Sequence, residues 1–286
     1  MPSAPKPGTK APPSGNATRS ADQQGFGVAG AREGAKEGAG VDAVKASRSA
    51  VRLVYDHDDL GTSHAADRKF VWALARGLEI LRVFRPGQGP LGNNEIATLT
   101  GLPKPTVSRL THTLTALGYL DYLPRFAKYQ LGLGAVSLGQ MALNNMSVRR
   151  LARPLMCGLA EEMDASVSLG RRDRLHMLYV EHCSPRSAVA LQLGVGSRLP
   201  LAVTAMGRAF YALASSEERA AIDGQLAEQL PERWPAIRAG LREAVDMHAA
   251  FGFTVSVGDW NREVHAAGAA VALPDGGVVA LNCGAP

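Results

Sequence analysis

Cations and hydrogen-bonding side chains follow one face of a helix predicted near residue 110. On the opposite face four apolar residues recur at spacings of three and four, namely Val107, Leu110, Leu114 and Leu117. The remaining positions are candidate DNA contacts, and they are Lys104, Pro105, Thr106, Ser108, Arg109, His112 and Thr113. Cations bind phosphates and arginine pairs with guanine edges, so this pattern predicts a recognition helix that lies in a major groove.

A shorter helix and a turn are predicted immediately before this recognition helix. Ile96 and Leu99 give the shorter helix a small apolar face, and Gly101 follows it. Glycine can adopt the positive φ that ends a helix, and Pro103, near the next N-terminus, forfeits no needed N–H. The stretch 93–120 is therefore typical of a helix-turn-helix. A helical hairpin on any protein surface is the alternative, since it too has one apolar and one polar face.

A small β-hairpin is predicted directly after the recognition helix. Its strands are 120–123 and 129–133, and its tip carries Arg125 and Lys128. A hairpin with a basic tip in this position is a wing, which rests on the phosphate backbone. Arg125 and Lys128 are therefore further candidate DNA contacts.

The net charge of the chain is concentrated around these elements. Residues 1–68 contain nine Lys/Arg and eight Asp/Glu, a net charge of +1. Residues 69–150 contain ten and three, a net charge of +7, whereas residues 151–286 contain twelve and fifteen, a net charge of −3. Since each neutralised phosphate releases counterions, this distribution favours double-stranded DNA as the partner of the middle region.

The length and composition indicate a globular protein with two domains. The chain has 286 residues, with 46% hydrophobic and 20% charged residues, which is ordinary for such proteins. No apolar run approaches the roughly 18 residues of a membrane helix, and the N-terminus lacks the apolar core of a secretory signal. The three cysteines, Cys157, Cys183 and Cys283, are far apart and predict reduced thiols in a cytoplasmic protein.

The order of elements predicts an α+β fold with two folded domains. Residues 1–66 are rich in Gly, Ala, Pro and Ser and are predicted to be a disordered leader, in which 51–55 form a local apolar patch. A winged helix-turn-helix domain is predicted over 67–133, beginning with a helix that Pro86-Gly87 ends, and a linker helix over 134–147.

The region 148–286 is predicted to form an α+β domain in which helices pack on a mixed sheet. It begins with a helix over 147–163, in which Pro154 predicts a kink or a restart. The predicted strands are 165–169, 175–180, 189–193, 253–257, 267–273 and 278–282, with a polar turn at 171–174. The predicted helices between them are 204–214, 216–230 and 234–251.

A candidate anion site lies where the helix at residue 204 begins. A helix start offers free N–H donors and the positive end of the macrodipole, and Leu201 is close enough to contribute an apolar wall. We expect a small organic acid to bind there, with Gly207 leaving it room and His265 or Asn282 as second polar contacts. The candidate effector residues are Leu201, Thr204, Ala205, Met206, Gly207, His265 and Asn282.

An enzymatic or metal-binding role for the second domain is the alternative function. No nucleophile elbow, phosphate-binding loop or zinc-protease motif occurs in the chain. A metal site or a nucleophile site could be assembled from Cys157, His176, His182 and Cys183 by residue type, but their spacing matches no zinc pattern. No catalytic residue, metal or cofactor is therefore predicted.

Three motifs resemble the IclR family of bacterial transcription regulators, and the resemblance covers about residues 67–286. The first is GLPKPTVSRL at 101–110 with LGYL at 117–120, similar to the recognition helix and its exit. The second is GSRLPLAVTAMGRA at 196–209, similar to the loop and helix beside the effector pocket. The third is GDWNREVHA at 258–266, followed by VALNCG at 279–284, similar to the closing strands.

The resemblance implies a winged helix-turn-helix domain followed by a GAF-like effector-binding domain in a homodimer or homotetramer. It also implies an IclR-type regulator that controls a catabolic operon in response to a small organic acid. Pro105 and Thr111 depart from the family's usual residues, a small hydroxyl residue and a leucine. The family normally continues with one or two helices beyond the position of Pro286, so the C-terminal helices of the effector domain are expected to be absent.

Overall fold

The computed structural model describes residues 67–185 and 193–285 of the chain. The predicted leader over 1–66, with its apolar patch, and most of the predicted strand at 189–193 lie outside these residues. Among the described helices, none is long and apolar enough to cross a membrane.

The first domain contains three helices and a two-stranded hairpin. They are α1 (Trp72–Arg82), α2 (Asn93–Thr100), α3 (Lys104–Ala116), β1 (Leu120–Leu123) and β2 (Lys128–Leu131). The apolar faces of the helices meet in one core, where Ile80, Ile96 and Val107 are fully buried. This arrangement confirms the predicted winged helix-turn-helix, because α2 and α3 are followed directly by the hairpin.

The turn between α2 and α3 has the predicted backbone conformation. Gly101 ends α2 with a φ of 66°, a value that a residue with a side chain rarely adopts. Pro103 then precedes α3 with a φ of −58°. The turn thereby sets the direction in which the recognition helix leaves α2.

Two helices connect the domains, α4 (Leu133–Asn144) and α5 (Ser147–Met163). Pro154 predicted a kink or a restart of α5, and the restart is wrong, because one helix runs through this position. Pro154 is exposed, so its ring is accommodated on the outer side of α5. The opposite side of the helix buries Met156 and Ala160 against the sheet of the second domain.

The second domain is a six-stranded antiparallel sheet with helices on both faces. Its strands are β3 (Ser166–Asp173), β4 (His176–Cys183), β5 (Arg198–Pro200), β6 (Thr254–Val257), β7 (His265–Ala272) and β8 (Val278–Ala285). The strands lie in the order β5-β4-β3-β8-β7-β6. Three helices follow β5 in the chain, and they are α6 (Ala205–Leu213), α7 (Ser216–Gln229) and α8 (Trp234–Phe251). Helix α5 lies on one face, and α6 with α8 lies on the other.

The structure corrects two details of the predicted second domain. Strand β3 continues to Asp173, so the polar turn predicted at 171–174 is shortened to residues around Arg174, which has a φ of 57°. The short strand β5 at 198–200 was not predicted, because three residues give too little alternation to detect.

The prediction of three reduced thiols is also wrong. Cys157 on α5 and Cys183 on β4 form a disulfide, with their Cα atoms 5.2 Å apart. Cys283 is the free cysteine of the described chain. The pairing arises because α5 packs across β4, and the separation of 26 residues along the chain gives no sign of that contact.

Candidate functional site: a DNA-reading face and an effector cavity

The structure presents the predicted DNA contacts of α3 on one accessible face. Exposed residues of this face are Lys104, Pro105, Ser108, Arg109, His112 and Thr113, and Thr106 is partly exposed. Val107 on the opposite side is fully buried. The helix therefore offers its cations and hydroxyl groups outward while its apolar side is held in the core.

Thr111 has a structural role in positioning α3. Its side chain is fully buried, and its Oγ1 donates to Asn93 Oδ1 at 3.1 Å. Asn93 is the first residue of α2, so this hydrogen bond ties the recognition helix to the start of the preceding helix. A leucine could fill the space but could not satisfy the Asn93 amide, which gives a physical reason for the threonine.

The wing holds its two basic residues differently. Arg125 lies exposed at the tip, where its guanidinium is 5.8 Å from the centre of the Phe126 ring. Lys128 lies at the start of β2, and its Nζ is 3.0 Å from Glu95 Oε2. The same Glu95 oxygen accepts a hydrogen bond from the Gly92 N–H at 2.7 Å. This bond and then Lys128 lower the pKa of Glu95, so Glu95 stays ionised beside the Lys128 ammonium.

A cavity that is partly open to solvent lies between the start of α6 and the sheet. Its polar lining consists of Ser166, Ser168, Tyr179, His182, Thr204, Ser256 and Asn282. Its apolar lining consists of Leu193, Leu199, Ala205, Met206, Trp260, Val264, Ala266 and Gly284.

Small residues in register leave the space for this cavity. Ser166, Gly284, Ala266 and Ser256 are paired one after another across four neighbouring strands. No side chain in this row is larger than serine, so the row leaves open space above this part of the sheet. One row further, a Cβ at Gly268 would lie 2.5 Å from the Ala205 carbonyl oxygen. The start of α6 therefore contacts the sheet at Gly268, and the cavity lies over the neighbouring row of small residues.

A β-bulge brings two aromatic side chains of β4 into the cavity. The pairing with β3 shifts between Leu169 and Gly170, so β4 has one extra residue at this point. Tyr179 and His182 consequently face the same side of the sheet, although strict alternation would place residues three apart on opposite sides. On the other side, buried Glu181 binds Arg149 and Arg153 of α5 at 3.0 and 2.6 Å.

Hydrogen bonds orient the polar groups of the cavity. His182 lies between Ser168 Oγ, 2.9 Å from its Nδ1, and Ser184 Oγ, 2.7 Å from its Nε2. Burial lowers the pKa of His182 and raises the pKa of Tyr179 to about 12, so both side chains are neutral near pH 7. Asn282 Oδ1 is buried at the cavity and has no hydrogen-bond partner among the described residues, so it is available as an acceptor.

The start of α6 is capped from within. Thr204 Oγ1 accepts from the Gly207 N–H at 3.2 Å and donates to Pro200 O at 2.8 Å. The predicted N–H donor at Gly207 is therefore occupied. Ala205 and Met206 still begin the helix beside the cavity, where the positive end of the helix dipole attracts negative charge.

The cavity includes four of the predicted effector residues: Thr204, Ala205, Met206 and Asn282. Leu201 is fully buried in the core instead, and His265 is exposed on β7 next to the lining residue Ala266. Gly207 faces the Leu201 backbone, which a Cβ would overlap. The room that Gly207 provides is thus for helix packing, and our expectation that it makes room for a ligand has no support here.

Sequence reasoning missed most of the cavity's polar lining. The alternation over 165–169 predicts a strand, and it could also have shown that Ser166 and Ser168 share a face. His182 and Tyr179 carried no such signal, because the bulge that turns them together is not visible in the sequence. Of the residues grouped on paper as a metal site, Cys157 and Cys183 form the disulfide. No cluster of metal ligands occurs among the residues described.

A winged helix-turn-helix joined to an α+β domain with a cavity is the architecture of ligand-responsive transcription regulators. Residues 73–124 match the IclR helix-turn-helix domain, and residues 140–281 match the bacterial transcriptional regulator IclR C-terminal domain. The chain is 38% identical to the HTH-type transcriptional regulator TsaQ1/TsaQ2 of Comamonas testosteroni over 196 residues, which cover 68% of this chain and 70% of the relative. The chain belongs to the IclR family, and it is a DNA-binding transcription regulator of that type.

Solved structures agree with this assignment. An IclR family transcriptional regulator from Brucella abortus is 44% identical, with a TM-score of 0.71 over 77% of this chain and 83% of that one. An IclR homolog from Microbacterium hydrocarbonoxydans, complexed with 4-hydroxybenzoate, is 20% identical, with a TM-score of 0.56 over 75% and 89% of the two chains. The second similarity shows a shared fold.

Proposed function

We propose that this regulator binds a small organic acid in the cavity at the start of α6 and thereby controls a catabolic operon. The observation that carries the proposal is the buried, unpartnered Asn282 Oδ1 in a cavity lined by hydroxyl groups. As an acceptor, this oxygen suits a hydroxyl group of the ligand. The amide nitrogen and the neighbouring hydroxyls can donate to a carboxylate.

The lining favours an acid with a compact apolar body. No lysine or arginine occurs among the described residues of the lining, so the ligand's charge must be balanced by dipoles and hydroxyl donors. The first turn of α6 supplies the dipole, and Ser168 supplies a buried hydroxyl group. Trp260 and Met206 offer apolar contact, which suits a single ring or a short branched chain.

Thermal-shift and calorimetric titration of the whole protein test this ligand class. The panel consists of aromatic acids, 2-oxo acids and short aliphatic acids, each with its neutral amide. It starts from 4-hydroxybenzoate, which the Microbacterium protein binds. We expect at least one acid to bind and Ser168→Ala to weaken it by about 1 kcal/mol or more. Ser216→Ala, at an exposed position on α7, serves as the control. Equal binding of acids and amides would contradict the proposed class.

We further infer that the exposed face of α3 enters the major groove of an operator while the wing contacts its backbone. The charge, exposure and order of these elements support this geometry. An operator duplex can be selected from random DNA with the full chain. Failure to enrich any sequence would count against specific readout by α3.

We propose that the active species is a homodimer, or a homotetramer built from dimers. Exposed apolar side chains on α1 and α4 support this, and they are Leu74, Leu78, Leu133, Val136, Leu138 and Met141. An apolar surface of this extent is typical of an interface. Sedimentation of Leu74→Glu/Leu78→Glu should show a shift towards monomer. Glu substitution at Arg150, another exposed position, should leave the assembly unchanged.

A further inference from the structure

The turn between β3 and β4 is joined by ion pairs to the first helix of the DNA-binding domain. Arg82 of α1 donates through Nη2 to both oxygens of Asp173, at 2.7 and 2.8 Å. Arg174 donates to Glu79, one turn earlier on α1, at 2.7 Å. Two residues of a tight turn thus contact two residues of one helix face, which fixes the orientation of α1 relative to the sheet.

Asp173 also binds the element that forms a wall of the effector cavity. Its Oδ2 is 2.9 Å from Nη2 of Arg198 on β5. The next residue, Leu199, lines the cavity, and the residue after it, Pro200, accepts the hydrogen bond from Thr204. One carboxylate is therefore shared between α1 and a strand that borders the ligand site.

The surrounding charges keep this carboxylate ionised. Burial alone would raise the pKa of Asp173, but the charges of Arg198 and Arg82 lower it on balance, so it stays ionised near pH 7. Three arginines, Arg82, Arg174 and Arg198, surround two carboxylates, Asp173 and Glu79. Neutralising Asp173 removes the carboxylate that lies between Arg82 of α1 and Arg198 of β5, so these two like charges then repel each other.

We propose that Asp173 is the positioning residue that couples the effector cavity to the DNA-binding domain. Since it binds Arg82 and Arg198 together, a ligand that moves β5 changes the position at which α1 is held. This inference rests on the proposed function, and it names the contact through which that function operates. Coupling between two sites is reciprocal, so DNA binding must also alter the cavity.

Reciprocity permits a test that needs no effector. Trp260 lines the cavity, and its fluorescence reports on that site. Its contribution is obtained by subtracting the fluorescence emission of the Trp260→Phe variant from that of the unsubstituted protein. A saturating amount of the operator duplex selected with the full chain is then added. We expect DNA to change the Trp260 emission clearly in the wild type. In Asp173→Asn we expect this change to be reduced by a factor of about five or more. Arg198→Gln is the second variant, should Asp173→Asn fail to fold.

Arg171→Gln is the matched control. Arg171 lies on the same hairpin, but its guanidinium lies beside Gly277, in the turn between β7 and β8. It should show the full wild-type emission change. A full change in Asp173→Asn, an equal loss in Arg171→Gln, or no change in the DNA-bound wild type would each overturn the coupling role. If the wild type binds no duplex at all, the proposed function fails first and this inference fails with it.

Discussion

The two proposed binding surfaces of this regulator are built in different ways. The DNA-reading face comes from consecutive residues of one 13-residue helix, with the wing beside it. The effector cavity draws its lining from the start of α6 and from all six strands of the second sheet. One surface is a property of a single element, and the other exists only when the whole domain has folded.

This difference determines what a substitution can reveal. Side chains such as Arg109 are exposed on α3, so we expect their replacement to change DNA binding with little effect on the fold. Around the cavity, Ser168 and Thr204 are buried and hydrogen-bonded to neighbouring elements. Replacing these residues can change ligand binding and stability together, so each experiment on the cavity needs a separate measure of folding.

The largest effect is expected for Gly207→Val. A Cβ at this position would overlap the Leu201 backbone, and backbone cannot move aside as a flexible side chain can. We expect a loss of more than about 3 kcal/mol in the free energy of unfolding of the effector domain. Denaturant unfolding followed by circular dichroism measures it. A variant that stayed fully stable while losing only its ligand response would restore a direct role of Gly207 at the ligand.

Gly224→Ala is the control for this experiment. Gly224 is an exposed glycine in α7, and nothing lies within 4 Å of an added Cβ. Alanine should therefore stabilise the protein by roughly 0.5–1 kcal/mol through helix propensity. The opposite signs expected for two helical glycines would show that close packing at Gly207, and not a general effect of replacing glycine, causes the loss.

The second largest effect concerns the pH dependence of stability. Burial, together with Arg198 and Arg85, lowers the pKa of His176 from its ordinary 6.5 to about 4. Between these values the unfolded chain binds more protons at this site than the folded chain. Stability is therefore complete above pH 6.5 and falls by up to roughly 2–3 kcal/mol as the pH decreases towards 4.

His176→Gln should flatten the decrease in melting temperature between pH 6.5 and 4. The exposed His112, replaced in the same way, should leave the wild-type slope intact. Melting curves at half-unit intervals of pH provide the measurement. If His176→Gln kept the full wild-type slope, other groups would have to account for the acid sensitivity of the domain.

The same contrast explains how far the sequence could be interpreted. The period of three and four from Val107 to Leu117 and the glycine at 101 are local signals, and they predict α2, the turn and α3 within a few residues. The cavity depends on pairing between strands, such as Ser166 with Gly284 and Gly284 with Ala266. Register between distant segments leaves no local trace, so only the start of α6 and Asn282 could be proposed, and those with help from a family resemblance.

On the DNA-reading face, Arg109→Ala should weaken binding to the selected operator by about 1–3 kcal/mol if it reads a guanine edge. Its melting temperature should stay near the wild-type value, because the side chain is exposed. Fluorescence anisotropy at fixed salt concentration gives the affinity. Arg150→Ala removes the same charge from an exposed position on α5 and should have little effect. Equal losses in the two variants would indicate that net charge matters and that Arg109 does not read bases.

The smallest effect is expected at the wing, where a tip residue and a paired residue can be compared. Arg125→Ala should reduce the slope of log K against log salt concentration by about 0.9, the value for one phosphate contact. Lys128→Ala should reduce this slope less, because Glu95 lies 3.0 Å from the Lys128 ammonium and must be displaced by phosphate.

Glu95→Gln keeps an oxygen acceptor for the Gly92 N–H and removes the competing charge. It should therefore raise DNA affinity at low salt by roughly 0.5–1 kcal/mol. Unchanged affinity in Glu95→Gln, together with an unchanged slope in Lys128→Ala, would place Lys128 outside the DNA contact and leave Arg125 as the wing residue that meets the backbone.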